Sequence, residues 1–154
     1  MCALPDIIVD KQIAFDKSGQ MNGHDTYPIR SVLEGAILVI DDDPDICDAL
    51  VDILGTITES PVYSAANGHA GLQILRQKWL NIALIFLDMN MPVMNGEETY
   101  AQLQEVAPEV KVVISSSLSR AEAQFRLGQN EPSAFLQKPY GISALTQTMM
   151  TLFA

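Results

Sequence analysis

Cysteine is scarce in this sequence, with Cys2 at the start of the chain and Cys47 inside an apolar helical pattern. Neither reads as half of a disulfide framework, so a reducing cytoplasm is the expected compartment. Histidine is as thin: His24 and His69 stand alone, and no Cys/His spacing suits a zinc site. Bases are outnumbered, 9 Lys and Arg against 19 Asp and Glu, for a formal charge of -10. Such a surface repels phosphate backbones and anionic lipid heads, which argues against nucleic acid and membrane surfaces as partners. No apolar stretch approaches the length of a membrane span. Residues 1–20 carry acids early and lack the basic stretch and apolar run of a secretory signal.

What is present is enough for one ordinary domain: 154 residues, 48% of them hydrophobic. From Ala36 onward, short β-branched runs alternate with amphipathic stretches, the rhythm of βαβ units around a parallel sheet. Strands are expected at Ala36–Ile40, Pro61–Ala65, Ile82–Leu87, Lys111–Ser115 and Ala134–Gln137. Asp43 and Pro44 suit the N-cap and first position of a helix carrying Ile46, Leu50, Ile53 and Leu54. Further helices are expected over 68–79, over 97–106, from a Ser119/Glu122 capping box to Gly128, and along Ile142, Leu145, Met149, Leu152 and Phe153. Residues 1–34 lack this rhythm and read as an extension or linker, with Ile7, Ile8, Val9, Ile13 and Phe15 free to dock. The architecture is a doubly wound α/β layer sandwich, whose site lies beyond the carboxyl ends of its strands.

Four strand ends carry polar residues at that face: Asp41 and Asp42, Asp88, Ser116, and Lys138. One acid at a strand end is commonly a helix cap, but convergence from separate strands makes a site. Carboxylates drawn together repel and need a hard cation or an ammonium to stay ionised. Magnesium meets that need, with carboxylate and phosphate oxygens in its shell, and Lys138 would balance the other side of a phosphoryl group.

These residues fall in four motifs, ILVIDDDPDI at 37–46, FLDMNMPVMNG at 86–96, VVISSS at 112–117 and FLQKPY at 135–140. In this order and spacing they resemble the receiver domains of two-component signalling, similar to the chemotaxis response regulator, over about 35–154. The resemblance implies a flavodoxin-like fold of five parallel strands in the order 2-1-3-4-5 flanked by five helices. It implies that Asp88 is the phosphoacceptor, Asp42 a direct metal ligand, Asp41 an acid orienting metal-bound water, and Asn90 a backbone-carbonyl ligand of magnesium. Ser116 and Lys138 would bind phosphoryl oxygens, Lys138-Pro139 would be cis, and Ser116 with Phe135 would form the switch. Asp43 is expected to cap its helix. The implied partners are a histidine kinase or phosphotransfer protein and a downstream protein, a second copy of the chain among the candidates. With some thirty-four residues before the first strand, output is expected through partners.

Rival chemistries fit less well. Asp41-x-Asp43-x-Asp45 with Asp52 echoes a calcium loop, but Ile46 replaces its glycine and Pro44 intrudes. A phosphohydrolase of the haloacid dehalogenase type needs a general acid where Asn90 stands, so a turnover enzyme is not expected. A flavodoxin's phosphate loop would be repelled by Asp41, Asp42 and Asp43. A degenerate receiver serving only for docking would not need every site residue in place.

Overall fold

Strands that are apolar at every position must be covered on both faces, and in the computed structural model, which describes residues 33–153, they are. β1 (Ala36–Ile40), β2 (Val62–Ala65), β3 (Ile82–Leu87), β4 (Lys111–Ser116) and β5 (Ala134–Gln137) form one parallel sheet in the order β2-β1-β3-β4-β5. The helices are α1 (Pro44–Ile57), α2 (Gly68–Leu75), α3 (Gly96–Val106), α4 (Arg120–Leu127) and α5 (Ile142–Phe153). This is the expected flavodoxin-like order.

Because successive side chains of a strand point to opposite faces, each strand feeds two cores. Ile37, Val39, Leu84, Phe86 and Val113 pack beneath α1 and α5, where Leu50, Leu54, Leu145 and Met149 are buried. Leu38, Ile40, Ile85, Leu87, Val112 and Ile114 pack beneath α2, α3 and α4 through Leu72, Leu103, Ala123 and Leu127. Each fully buried aliphatic side chain contributes roughly 1.5–3 kcal/mol, against about 0–1 kcal/mol for an exposed ion pair. The two cores, not the charged surface, therefore hold the fold.

The helix ends follow the cap residues. Asp43 accepts the Asp45 N–H at 3.0 Å ahead of Pro44, so its carboxylate caps α1 as expected. The Ser119/Glu122 capping box opens α4, and Gly128, at φ +65°, closes it. A second capping box, Asn95 with Glu98, starts α3 where only a turn was expected. Gly96 has a packing reason as well: a Cβ there would lie 2.4 Å from Met89 Cα, so glycine lets α3 begin directly against the segment that follows Asp88.

Four expectations need adjustment. α2 stops at Leu75 and a 3₁₀ turn, Lys78–Leu80, follows it, because the chain must swing into β3. Asn81 makes that swing at φ +50°, and its carbonyl accepts the Ala36 N–H at 2.9 Å. Ser116 is the last residue of β4, and β2 begins at Val62, after Pro61. Ile142 is exposed, so the buried stripe of α5 is carried by Leu145 and Met149. Leu33 is buried in the core cluster to which α1 and α5 also contribute, and its carbonyl accepts from the Ser60 hydroxyl. The apolar residues Ile7 to Phe15 lie outside the described residues.

Candidate functional site

The sheet ladder brings the strand ends into register. The Asp41 N–H donates to the Ala65 carbonyl, the Asp88 N–H to Ile40, and the Lys138 N–H to Ser116. Asp41 and Asp88, immediately beyond β1 and β3, are buried, whereas Asp42 is exposed. One carboxylate oxygen from each of Asp41, Asp42 and Asp88 lies within 4.8 Å of the others. An all-oxygen, anionic donor set of this kind fits a hard divalent cation of the magnesium class.

Lys138 supplies the compensating charge. Its Nζ lies 2.5 Å from Asp41 Oδ2 and 3.7 Å from Asp88 Oδ1, and the peptide bond from Lys138 to Pro139 is cis. Burial opposes the ammonium charge, but the hydrogen bond to Asp41 and the attraction of Asp88 and Asp41 outweigh it and raise its pKa. Asp88 moves the other way from an ordinary carboxylate: burial foremost, with repulsion from Asp41 and Asp42, pushes it up to about 6 despite Lys138. The Asp41 carboxylate also accepts the Asp43 N–H at 2.9 Å, which holds the start of α1 against the pocket. Cys47 donates to the Asp41 carbonyl at 3.3 Å, and burial, aided by Asp41, pushes its thiol up to about 11, leaving it unreactive.

Ser116 and Phe135 lie on the other face of the sheet from Leu136. Phe135 is half-buried against the α2–α4 core, with the Arg120 guanidinium 5.2 Å from its ring centroid. Between Ser116 and Phe135 is a cavity of about 100 Å³, also lined by Ile114, Leu118, Arg120 and Ala123. The Ser116 hydroxyl accepts the Leu118 N–H at 3.2 Å, leaving its own proton free to donate.

Asn90 is exposed, and its N–H donates to Asp88 Oδ1 at 3.4 Å. Two arrangements had no signal in the sequence. Arg126 of α4 donates through Nη1 to Asn90 Oδ1 at 2.7 Å and through Nε and Nη2 to the Glu97 carboxylate of α3. Ser115 and Tyr140 share a hydroxyl–hydroxyl hydrogen bond of 2.7 Å, which joins β4 to the segment after the cis peptide. Both partnerships span some twenty-five or more positions, beyond any local pattern.

Comparison with known proteins agrees with this architecture. The family model for the response regulator receiver domain matches residues 37–150. The transcriptional regulatory protein GlrR of Escherichia coli is 30% identical over 116 residues, which is 73% of this chain and 25% of that protein. The chain spans about a quarter to a half of the length of the first curated relatives it matches. Among solved structures, a CheY-like receiver domain protein from Methanospirillum hungatei superposes with a TM-score of 0.69 at 23% identity, covering 77% of this chain and 93% of that one. A chain of the CheX-CheY-BeF3-Mg+2 complex from Borrelia burgdorferi gives 0.66 at 21%, covering 79% and 91%. The chain belongs to the response regulator receiver domain family of two-component systems. Among the described residues, no helix is long and apolar enough to cross a membrane.

Proposed function

We propose that this receiver domain takes a phosphoryl group from a histidine kinase or phosphotransfer protein onto Asp88. The observation that carries the reading is the convergence of Asp41, Asp42 and Asp88 on one another, with the Lys138 ammonium among them. A buried carboxylate flanked by acids is a poor nucleophile until its surroundings are neutralised, and phosphoryl transfer is governed by that electrostatic balance.

In the transfer, an Asp88 carboxylate oxygen attacks phosphorus, the bond from phosphorus to the donor's imidazole nitrogen breaks, and the imidazole takes up a proton. Asp41, Asp42, Asp88 and the backbone carbonyl of Asn90 would hold magnesium, which supplies positive charge to nucleophile and phosphoryl oxygens when bound. Lys138 pairs with one phosphoryl oxygen, and the Ser116 hydroxyl donates to another. Asp88 is modified and does not itself turn over a separate substrate, so the domain is not an enzyme in the ordinary sense.

Readout follows from the cavity behind Ser116. Drawing Ser116 toward the phosphoryl group enlarges the space into which the half-buried Phe135 ring turns, which changes the surface of α4, β5 and α5. The downstream partner read by that surface is a protein, which agrees with the charge of -10. Residues 1–34, apart from the buried Leu33, serve as an extension or linker to the domain. Purified protein incubated with a small phosphodonor should gain the mass of one phosphoryl group with magnesium and none with chelator. Absence of labelling in both conditions would instead leave a docking module that no longer takes phosphate.

A further inference from the structure

We propose that Arg126 is a positioning residue, a latch that holds α4 in its resting place by binding Asn90 beside the acidic pocket and Glu97 on α3. The proposal rests on the phosphoacceptor reading above and adds a residue to it.

An exposed Arg–Glu pair is usually of little consequence. This one differs in what it connects. The guanidinium is divided between α3 and the loop after β3, with Nη1 on Asn90 Oδ1 at 2.7 Å and Nε and Nη2 on the Glu97 carboxylate. Asn90 in turn donates its N–H to Asp88 Oδ1. A chain of bonded groups thus runs from the carboxylate of Asp88 through Asn90 to the last turn of α4.

The other end of α4 is tied to the pocket as well. Ser116 accepts the Leu118 N–H, and Ser119, the next residue, caps the helix. If Ser116 is drawn toward a group on Asp88, the loop pulls the first turn of α4 with it, and a short helix moves as one piece. Three hydrogen bonds of fixed fork geometry at its far end cannot all survive such a shift. Arg126 therefore favours the resting arrangement, and its removal lowers the cost of reaching the other. Its partial exposure keeps the latch weak, which suits a reversible switch.

The test uses magnesium with beryllofluoride, a phosphoryl mimic, on the full chain. Arg126→Ala should bind beryllofluoride roughly two- to five-fold more tightly than wild type at low ionic strength, the range of an exposed pair converted to affinity. The ratio should fall toward one near 1 M salt, where charges are screened within about 3 Å. Arg126→Lys, which cannot fork between both partners, should lie between the two, and Glu97→Gln should give a smaller gain of the same sign. Unchanged or weaker binding by Arg126→Ala and Glu97→Gln, with wild-type melting temperatures, would overturn the latch. A wild-type protein that takes no beryllofluoride would overturn the phosphoacceptor reading itself.

Discussion

Lys138 is bonded to Asp41, not to Asp88: its Nζ is 2.5 Å from the first carboxylate and 3.7 Å from the second. The nearer contact pairs the buried Asp41 carboxylate with an ammonium. The longer one only partly offsets the burial that, foremost and with repulsion from Asp41 and Asp42, pushes the Asp88 pKa up to about 6. A phosphoryl group on Asp88 would offer Lys138 a stronger partner on the side where its present bond is weak.

A pH dependence follows for the metal-free protein. Asp88 has a folded pKa of about 6 against an ordinary 3.8, so the folded state binds the extra proton between those values. Its contribution to stability is then lost as pH rises through about 6, and the penalty is complete above that. Asp88→Asn should raise stability at pH 7.5 by about 1–3 kcal/mol without magnesium, with little gain near pH 4. Urea unfolding of both proteins at the two pH values measures the difference.

Asp42 is the exposed member of the acidic cluster, and among the described residues its side chain makes no hydrogen bond. Asp42→Ala should therefore fold normally and bind magnesium at least about tenfold more weakly, a loss of about 1.4 kcal/mol. Magnesium titration followed by NMR gives the affinity directly. Unchanged affinity would place the cation elsewhere.

Much of this was legible in the sequence, for reasons that can be named. Pro44 after Asp43, and Glu122 three residues after Ser119, are local signals, and both helices start where those signals stand. Asp41, Asp88, Ser116 and Lys138 could be placed at one end of the sheet because runs such as Ile82–Leu87 fix where each strand ends. The break in α2 was not legible, since the apolar spacing continues through Leu80 while the turn at Asn81 answers to a tertiary demand, the bond to Ala36. The preference of Lys138 for Asp41 was equally hidden. Charge sign can be read from sequence, but which of two neighbouring carboxylates an ammonium reaches depends on how the folded strand ends are placed.

Ser116→Ala should still be labelled on Asp88 but should weaken the coupling to α4 and β5, and Phe135→Ala should behave likewise. The Phe135 ring starts half-buried, so its further burial contributes less than the roughly 1.5–3 kcal/mol of a full transfer, which bounds the switch. NMR of the magnesium-bound protein with and without beryllofluoride checks this. Shifts confined to the pocket, with Leu118 to Leu127 and Phe135 unmoved, would rule the switch out.

Removing residues 1–30 should leave the melting temperature and labelling largely unchanged, because that segment lacks the alternating strand and helix pattern of the domain. Leu33→Ala, by contrast, should cost about 2 kcal/mol, as a buried core leucine truncated. Thermal melts of the two variants separate the contributions. A large fall for the truncation would mean that Ile7 to Phe15 packs on the domain.

The most direct measurement is chemical identification of the labelled atom. Protein incubated with magnesium and a small phosphodonor is reduced with borohydride, which converts an aspartyl phosphate to homoserine, and its peptides are mapped by mass spectrometry. Homoserine at position 88, absent without magnesium and absent in Asp88→Asn, is the expected result. Homoserine at Asp41 or Asp42 instead, or equal labelling of Asp88→Asn at an unchanged rate, would contradict the assignment of Asp88 as the acceptor.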